Sequence, residues 1–326
     1  MADSIVGAVG ANLSDSSKAA LEALVSAIAG EAAVVDLGGS TAVFGADASG
    51  NSVGSVTAAT TAVSGAINDA NLTVNIELPA GVGLGFAGPS TDQTAAQAKE
   101  YFDGVISQAF AGATGAGAAQ AAALSKAVAL IATKDAANAT NSAVRLVNIN
   151  NESTEGAATV KLSGEANSSK QEVVAVNASQ MKAGQTLQIE NLDRVVVAGS
   201  AKLEVVGSSA AFVAGDNADQ NITGGGGADT LVGGGGNDTL AGGAGADDFG
   251  FVAGGNFTIS DLSAAEGDKL AFSIDGLTSI DQLVAAVTVI TETAEGVTFQ
   301  FGDAASITLV GMQSSDVTAD LIKLTI

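Results

Sequence analysis

The apolar residues of the chain follow different spacings in different regions. Residues 14–29, 90–110 and 117–134 place apolar side chains three or four positions apart, as an amphipathic helix does. Residues 32–86 and 143–189 instead contain short β-rich segments, such as STAVFG and QEVVAV, separated by Gly, Ser and Asn. These patterns predict a mixed α+β domain over residues 1–188.

Three helices are predicted in this region. The first begins at Ser14 as its N-cap and ends at Gly30, a residue suited to a C-terminal cap. The second begins at Ser90, which with Gln93 three positions later has the sequence of a capping box. The third covers about 117–134, and we interpret its apolar face as core rather than as a cofactor site. That face consists of Leu124, Val128 and Ile131.

From about residue 189 onward, apolar residues recur at every ninth position. A period of this length indicates a structural repeat rather than a series of independent elements. We therefore predict a regular coil over 189–250, whose earlier turns have diverged in sequence. Counted back from the end, the apolar positions are Phe249, Leu240, Leu231, Ile222 and Val213, then Leu203, one residue out of step, and Val195.

Glycine and aspartate repeat with the same period. The segments GGGGADTLV (224–232), GGGGNDTLA (233–241) and GGAGADDFG (242–250) fit one template. Glycine permits positive φ and close approach of backbone carbonyls, and aspartate adds the hard anionic oxygen that calcium prefers. A flexible glycine linker would have neither the apolar period nor the aspartate register. A phosphate-binding loop is disfavoured, because no P-loop lysine follows and the neighbouring charge is negative.

These nonapeptides resemble the calcium-binding repeats of the RTX (repeats-in-toxin) family. The resemblance implies a parallel β-roll, or β-solenoid, in which each repeat makes half a turn. Asp229 and Asp247 would then lie on one side and share an ion, while Asp238 lies on the other side. The calcium ligands expected from the resemblance are backbone or side-chain oxygens of Gly224, Gly226, Gly227, Asp229, Gly233, Gly235, Gly236, Asp238, Gly242, Ala244, Gly245 and Asp247, with Asp261 as a further candidate.

The loop that precedes the Asp238 repeat departs from the template. Residues 215–220 read GDNADQ, so Gln220 stands where the aspartate belongs, although Asp216 and Asp219 are close by. We therefore expect one good calcium site and one or two poorer ones.

The last part of the chain carries a second resemblance. The segments FTISDLSAAEGDKLAF (257–272) and ITLVGMQSSDVTADLIKLTI resemble the C-terminal region of RTX proteins exported by type I secretion. The resemblance implies a β-rich cap and a secretion signal over 251–326. Leu262 replaces the usual Phe, and ADLIKLTI differs from the common ADDFIF ending. Asp261 either adds an oxygen to the last ion or is an ordinary turn residue.

Composition excludes several functions. The 326 residues carry 12 Lys plus Arg against 35 Asp plus Glu, a formal net charge of −23, which disfavours nucleic-acid or anionic-membrane partners. The chain has no Cys and no His, so disulfides, thiolate chemistry and His-dependent hydrolysis are absent. A carboxylate-only glycosidase stays formally open, but without Trp and with Tyr101 as the one tyrosine, little lines a sugar site. We predict that the protein is not an enzyme.

The N-terminal sequence bears on localisation. It begins with acidic rather than basic residues, and no stretch reaches the ~18 apolar residues of a membrane span, so neither a signal peptide nor a transmembrane segment is expected. Calcium is scarce in the cytosol and abundant outside, so ion binding would drive folding after export. We expect an extracellular protein at the bacterial surface.

The composition also suggests a role. A chain rich in Ala, Gly, Val, Ser and Thr, with 47% apolar residues and mean hydropathy +0.36, resembles bacterial surface-layer or extracellular filament subunits. This implies self-assembly through residues 1–188, with residues 1–12 as a possible donated strand. The alternative is a monomeric adhesin or ligand-binding module stiffened by calcium.

Overall fold

The computed structural model covers most of the chain after its N-terminal region. The helix predicted at 14–29 and the segment 1–12 lie outside the described residues. Within them, no helix is both long and apolar enough to cross a membrane. The described residues are 33–36, 40–46, 52–58, 62–68, 73–134, 142–151, 157–165, 170–182, 184–252, 254–303 and 305–326.

Strands dominate the described residues, as the β-rich segments predict. Those before the glycine repeats are Ala33–Asp36 (β1), Ser40–Ala46 (β2), Ser52–Ala58 (β3), Val63–Asn68 (β4), Thr73–Leu78 (β5), Val82–Gly88 (β6), Ser142–Asn151 (β7), Thr159–Ser163 (β8), Gln171–Asn177 (β9), Thr186–Glu190 (β10), Arg194–Ala198 (β11), Lys202–Val206 (β12) and Phe212–Ala214 (β13). The others are Asn221–Thr223 (β14), Thr230–Val232 (β15), Asn237–Ala241 (β16), Asp248–Phe251 (β17), Asn256–Ile259 (β18), Lys269–Phe272 (β19), Val289–Thr293 (β20), Gly296–Phe301 (β21), Ala305–Val310 (β22) and Ile322–Lys323 (β23).

The described helices are Ala95–Ala109 (α1), Ala116–Lys134 (α2) and Ile280–Ala286 (α3), with 3₁₀ turns at Ser314–Asp316 and Ala319–Leu321. The capping box predicted at Ser90 is wrong: α1 is capped by Thr94, whose hydroxyl accepts from the Gln97 N–H, while the Gln97 side chain accepts from the Thr94 N–H. The reason is that Gln93 forms an extended bridge with Ser142, which delays the start of the helix.

Two long sheets face each other. The first has the order β1-β2-β3-β6-β7-β9-β11-β13-β15-β17-β19-β23, and the second β20-β21-β22-β18-β16-β14-β12-β10-β8-β5-β4. Strands β7 to β19 pair in parallel with every second strand along the chain, β15 with β17 and β14 with β16, for example. Each nonapeptide thus supplies one strand and one turn, so the β-roll with half a turn per repeat is confirmed.

The separate α+β domain predicted for residues 1–188 is not confirmed. Strands β1 to β6 pair antiparallel and extend the same two sheets, and the predicted boundary at 188–189 falls inside β10. Parallel pairing already begins at Ser142. Hydrogen-bonded contacts between successive coils join residues 29, 21, 18, 18 and 21 apart. Hydrogen bonds between neighbouring strands can form even when the coils differ in length. The roll therefore continues in the part of the sequence where the nine-residue period is lost.

One apolar core fills the space between the sheets. It runs from Val56 in β3 to Leu321 near the C-terminus, and the ring of Phe251 stacks on that of Phe272. The predicted nine-residue positions are all inside it, at most 1% exposed, which confirms the apolar period. They are Val195, Leu203, Val213, Ile222, Leu231, Leu240 and Phe249.

Helices α1 and α2 cover the outer face of the first sheet. Phe102, Leu124 and Val128 pack in a second cluster with strand residues from β7 to β15. The Gln120 side chain donates to Asp216 Oδ2 over 2.9 Å, and Lys126 Nζ donates to the Val252 carbonyl over 3.1 Å. The helices are therefore core elements, as predicted, and α2 forms hydrogen bonds directly to the coils of the repeats.

Candidate calcium site

The first glycine of each repeat lies against the carboxylate of its own repeat. A Cβ placed on Gly233 or Gly242 would lie 2.4 and 2.3 Å from Oδ2 of Asp238 and Asp247. On Gly224, a Cβ would lie 2.1 Å from the carbonyl oxygen of Gly242, one coil later. Carboxylate and carbonyl oxygens from two coils therefore converge at a place where only glycine fits.

Asp229, Asp247 and Asp268, here named the first column, lie above one another on one side of the roll. Each uses Oδ1 to accept the backbone N–H of the residue one coil earlier. Ala211 donates to Asp229 over 2.8 Å, Asp229 to Asp247 over 2.7 Å, and Asp247 to Asp268 over 2.9 Å. The structure therefore places Asp229 and Asp247 on the same side of the roll, as predicted.

Asp238 lies on the opposite side with Gln220 one coil before it. Gln220 donates its backbone N–H to Asp238 Oδ1 over 2.9 Å and its side-chain amide to Asp216. A Cβ on Gly215 would lie 2.7 Å from Gln220 Oε1 and 2.4 Å from the Gly233 carbonyl oxygen. Gln220 therefore keeps an oxygen at the aspartate position, without its charge.

Three of these oxygens have no hydrogen-bond partner among the described residues: Oδ2 of Asp238, Oδ2 of Asp247 and Oε1 of Gln220, all buried. A buried carboxylate oxygen without a partner is costly unless a cation or a proton neutralises it. No three acidic side chains of the described residues form a cluster by themselves, so the other ligands would be backbone carbonyls such as that of Gly242. Calcium takes six to eight oxygens of these two kinds, so the residues fit the ion.

Burial changes the acidity of these aspartates. It raises the pKa of Asp238 to about 7 and that of Asp247 to about 6, and it also raises the pKa of Asp229 and of Asp268. Backbone hydrogen bonds lower these values in part. Neighbouring carboxylates raise the pKa of Asp238 and Asp247 further. Several carboxylates therefore lie close to one another at this site.

The remaining glycine positions of the predicted site lie where neighbouring coils approach closely. Gly226 donates its N–H to the carbonyl of Gly207 over 2.8 Å. A Cβ on Gly227 or Gly245 would lie 2.6 and 1.9 Å from a carbonyl oxygen of the preceding coil. A Cβ on Gly236 would lie 2.8 Å from the Ala218 carbonyl oxygen, whereas one on Gly235 would lie 2.6 Å from Oδ1 of the Asn217 side chain. Ala244 donates its N–H to the Gly225 carbonyl. As calcium ligands, these positions stay predictions.

The structure gives two acidic residues roles that the sequence left open or missed. Both carboxylate oxygens of Asp261 accept backbone N–H groups, from Gly242 and Gly243, each over 2.9 Å, so this side chain anchors the last repeat. Its role as a ligand stays a prediction. Asp268 closes the first column and was not predicted. The signal was present, because Leu270 follows Asp268 by two positions, as Leu231 follows Asp229.

We expect Gly243→Ala to destabilise the protein far more than Gly276→Ala. Both glycines have positive φ, +91° and +84°, so a side chain at either costs roughly 1–2 kcal/mol. A Cβ on Gly243 would also lie 2.2 Å from the Gly225 carbonyl oxygen, whereas Gly276 has open space. Urea unfolding in calcium should show a further loss of about 2 kcal/mol for Gly243→Ala. Equal losses would mean that the coils separate easily.

In chelator, we expect stability to fall as pH rises from about 4 to 7. The folded protein holds the pKa of Asp238 near 7 against an ordinary value of 3.8, so it binds this proton more tightly than the unfolded chain. The contribution of this proton to the free energy of unfolding is complete below pH 3.8, the ordinary pKa of aspartate, and is lost as the pH approaches 7. Urea midpoints measured across this range in EDTA test the slope. Asp238→Asn should make the slope shallower, and an unchanged slope in this variant would contradict the assignment.

Comparison with known proteins agrees with this geometry. The family model for the RTX calcium-binding nonapeptide repeat, in four copies, matches residues 215–249. This range contains the diverged Gln220 repeat as well as the three that fit the template closely. No curated protein sequence matches the chain. Residues 215–249 thus carry RTX calcium-binding nonapeptide repeats.

Proposed function

We propose that the chain is a secreted, calcium-dependent structural protein that assembles with copies of itself into an extracellular layer or filament on the bacterial surface. RTX repeat proteins are generally secreted, and export by a type I secretion apparatus fits the C-terminal segments 257–272 and 307–326. Catalysis is not part of this proposal, since the chain lacks both His and Cys.

The open edge of the second sheet is the observation that carries the proposal. Strand β20 ends this sheet within the part of the chain that the structure describes, and all five of its residues are exposed. Val289 and Ile290 are 50% and 54% exposed. Ile290 pairs with Phe299 and so continues the row of side chains that faces the core. An exposed edge strand of this kind, with two exposed apolar side chains, is a template for a strand from another molecule.

Calcium couples to assembly through charge. Copies with a formal net charge of −23 repel one another, and each bound calcium ion removes two negative charges. The ions would also order the glycine turns, so that the roll keeps one conformation. Assembly should therefore require calcium beyond its effect on folding alone.

Light scattering and negative-stain microscopy, first in calcium and then in chelator, test the proposal. We expect particles that grow in calcium and dissolve in chelator. Ile290→Lys places a charge on the open edge and should abolish growth while leaving the thermal midpoint of the monomer nearly unchanged. The matched control is Val284→Lys, at a residue 63% exposed on α3, which should assemble normally. Persistent monomers of the wild-type chain at high concentration would contradict assembly and favour the monomeric adhesin.

A further inference from the structure

A coil that precedes the RTX repeats contains a buried carboxylate with an unused oxygen. Glu172 lies at the start of β9 and is 1% exposed. Its Oε1 accepts the backbone N–H of Glu165 over 3.3 Å, while Oε2 has no hydrogen-bond partner among the described residues. This is the same condition as that of Asp238 and Asp247 in the repeats.

The backbone around Glu172 follows that of a calcium repeat. Gly164 comes directly after β8 and donates its N–H to the Glu190 carbonyl over 2.9 Å, the last residue of the next strand in the same sheet. Gly224 does the same with Ala241 over 2.7 Å. The residue after each glycine donates its N–H to the acidic side chain of that coil, Glu165 to Glu172 and Gly225 to Asp229.

The oxygens converge in the same way. A Cβ on Gly164 would lie 1.7 Å from Glu172 Oε2 and 2.4 Å from the Asn191 carbonyl oxygen, one coil later. On Gly224 the corresponding atoms are Asp229 Oδ2 and the Gly242 carbonyl oxygen, at 2.7 and 2.1 Å. Asn191 has φ of 53°, the left-handed conformation that several repeat glycines adopt.

Glu172 also belongs to the ladder of the first column. Its backbone N–H donates to Asp193 Oδ2 over 2.8 Å, as Ala211 donates to Asp229 two coils further on. Strand register agrees, because Val173 pairs with Arg194 and Arg194 with Phe212. The position of Glu172 in β9 is therefore equivalent to the aspartate positions directly before β15 and β17.

The carboxyl group of Glu172 lies in a buried place close to other carboxylates. Burial raises the pKa of Glu172 to about 7, and the carboxylates of Asp193 and Glu165 raise it further, against the lowering by the Glu165 backbone. Lys170, two positions before Glu172, forms an ion pair with Asp92 over 2.9 Å. The charge is left to a proton or to a bound cation.

We propose that Gly164, Glu172 and Asn191 form a further calcium site, outside the recognised repeats, with Glu172 Oε2 and the Asn191 carbonyl as ligands. The available donors are hard oxygens, which calcium prefers. The nonapeptide template does not match this site because the sequence between its residues is longer. The residue that donates its backbone N–H and the acidic residue are seven positions apart here, against four in the repeat of Asp229. Glutamate, longer than aspartate by one methylene, reaches across this loop.

Counting bound ions on the full-length chain tests the site independently of assembly. Equilibrium dialysis followed by elemental analysis should give one calcium ion fewer per chain for Glu172→Gln than for the wild type. Glutamine keeps the size of the side chain and its bond to Glu165 but removes the charge. The matched control is Glu165→Gln, an exposed acidic residue of the same loop, which should keep the full number. An unchanged count in a folded Glu172→Gln variant would overturn the site.

Crystals of the wild-type protein grown in calcium give a second test that needs no variant. An anomalous difference peak is expected between Glu172 Oε2 and the Asn191 carbonyl oxygen, in addition to peaks within 215–249. Peaks confined to 215–249, or a water in place of a calcium ion at Glu172, would overturn the proposal. The calcium sites of the repeats, and assembly through β20, would be unaffected by that result.

Discussion

Chelation of calcium is expected to lower the thermal unfolding midpoint by roughly 10–20 °C, with the strands of the repeats becoming the first to unfold. One ion at 100 times its Kd stabilises a folded protein by about 2.7 kcal/mol, so two or three ions supply about 5–8 kcal/mol. This is comparable with the whole free energy of unfolding of a typical domain, roughly 5–15 kcal/mol. No other feature of the chain has an expected effect of this size.

The reason lies in the turns of the repeats. Glycine loses more conformational freedom on ordering than any other residue, and the turns at 224–227, 233–236 and 242–245 are glycine apart from Ala244. The carboxylates of Asp229, Asp238 and Asp247 are buried beside them, each at most 2% exposed. Without an ion, both the entropy of the turns and the repulsion of the carboxylates oppose folding. A bound cation offsets both.

Circular dichroism and calorimetry in calcium and in EDTA measure the effect, and hydrogen exchange locates it. Amides of β15 and β16 should lose protection first in EDTA, while those of β3 and β6, which pair antiparallel far from the repeats, should keep more. Magnesium at equal concentration is the control. Because it prefers octahedral geometry and retains its water, it should restore little of the thermal midpoint or of the strand content. Equal strand content and equal midpoints in calcium and EDTA would contradict the calcium dependence of the fold.

The sequence predicted the roll best where its coils have equal length. Between β11 and β17 the coils are joined by contacts 18 residues apart, so Val195, Val213, Leu231 and Phe249 recur in phase. Earlier coils are joined by contacts 29 and 21 residues apart, and insertions in their turns shift the apolar positions out of phase. Hydrogen bonding between strands tolerates such insertions, whereas a fixed period in the sequence does not.

The site was predicted in outline, and its details depend on contacts between distant residues. The sides assigned to Asp229 and Asp238 follow from counting nine residues at a time. The bond from Gln120 in α2 to the buried Asp216 joins residues 96 apart, and no local pattern indicates it. Gln220 looked like a defect in the repeat, but its side-chain oxygen takes the position of the aspartate oxygen. A template based on residue type alone does not detect this.

Asp247→Asn is expected to change stability in opposite directions with and without calcium. The asparagine oxygen can keep the 2.7 Å hydrogen bond from the Asp229 N–H, so the fold of the turn is preserved. In EDTA the substitution removes a buried, unpartnered negative charge next to Asp229 and Asp268, and we expect a gain of about 1–3 kcal/mol. In calcium it removes a charged ligand, and we expect a loss of similar size, about 2–3 kcal/mol.

This reversal separates a ligand from an ordinary structural residue. A residue that acts only through packing or through its backbone hydrogen bond should change stability by the same amount in both conditions, because calcium does not alter those contacts. Asp303→Asn, at an exposed turn, is the matched control and should have little effect in either condition. Denaturant unfolding of both variants in calcium and in EDTA gives the four values required. If Asp247→Asn destabilises the protein equally in both, Asp247 holds the turn together but does not bind the ion.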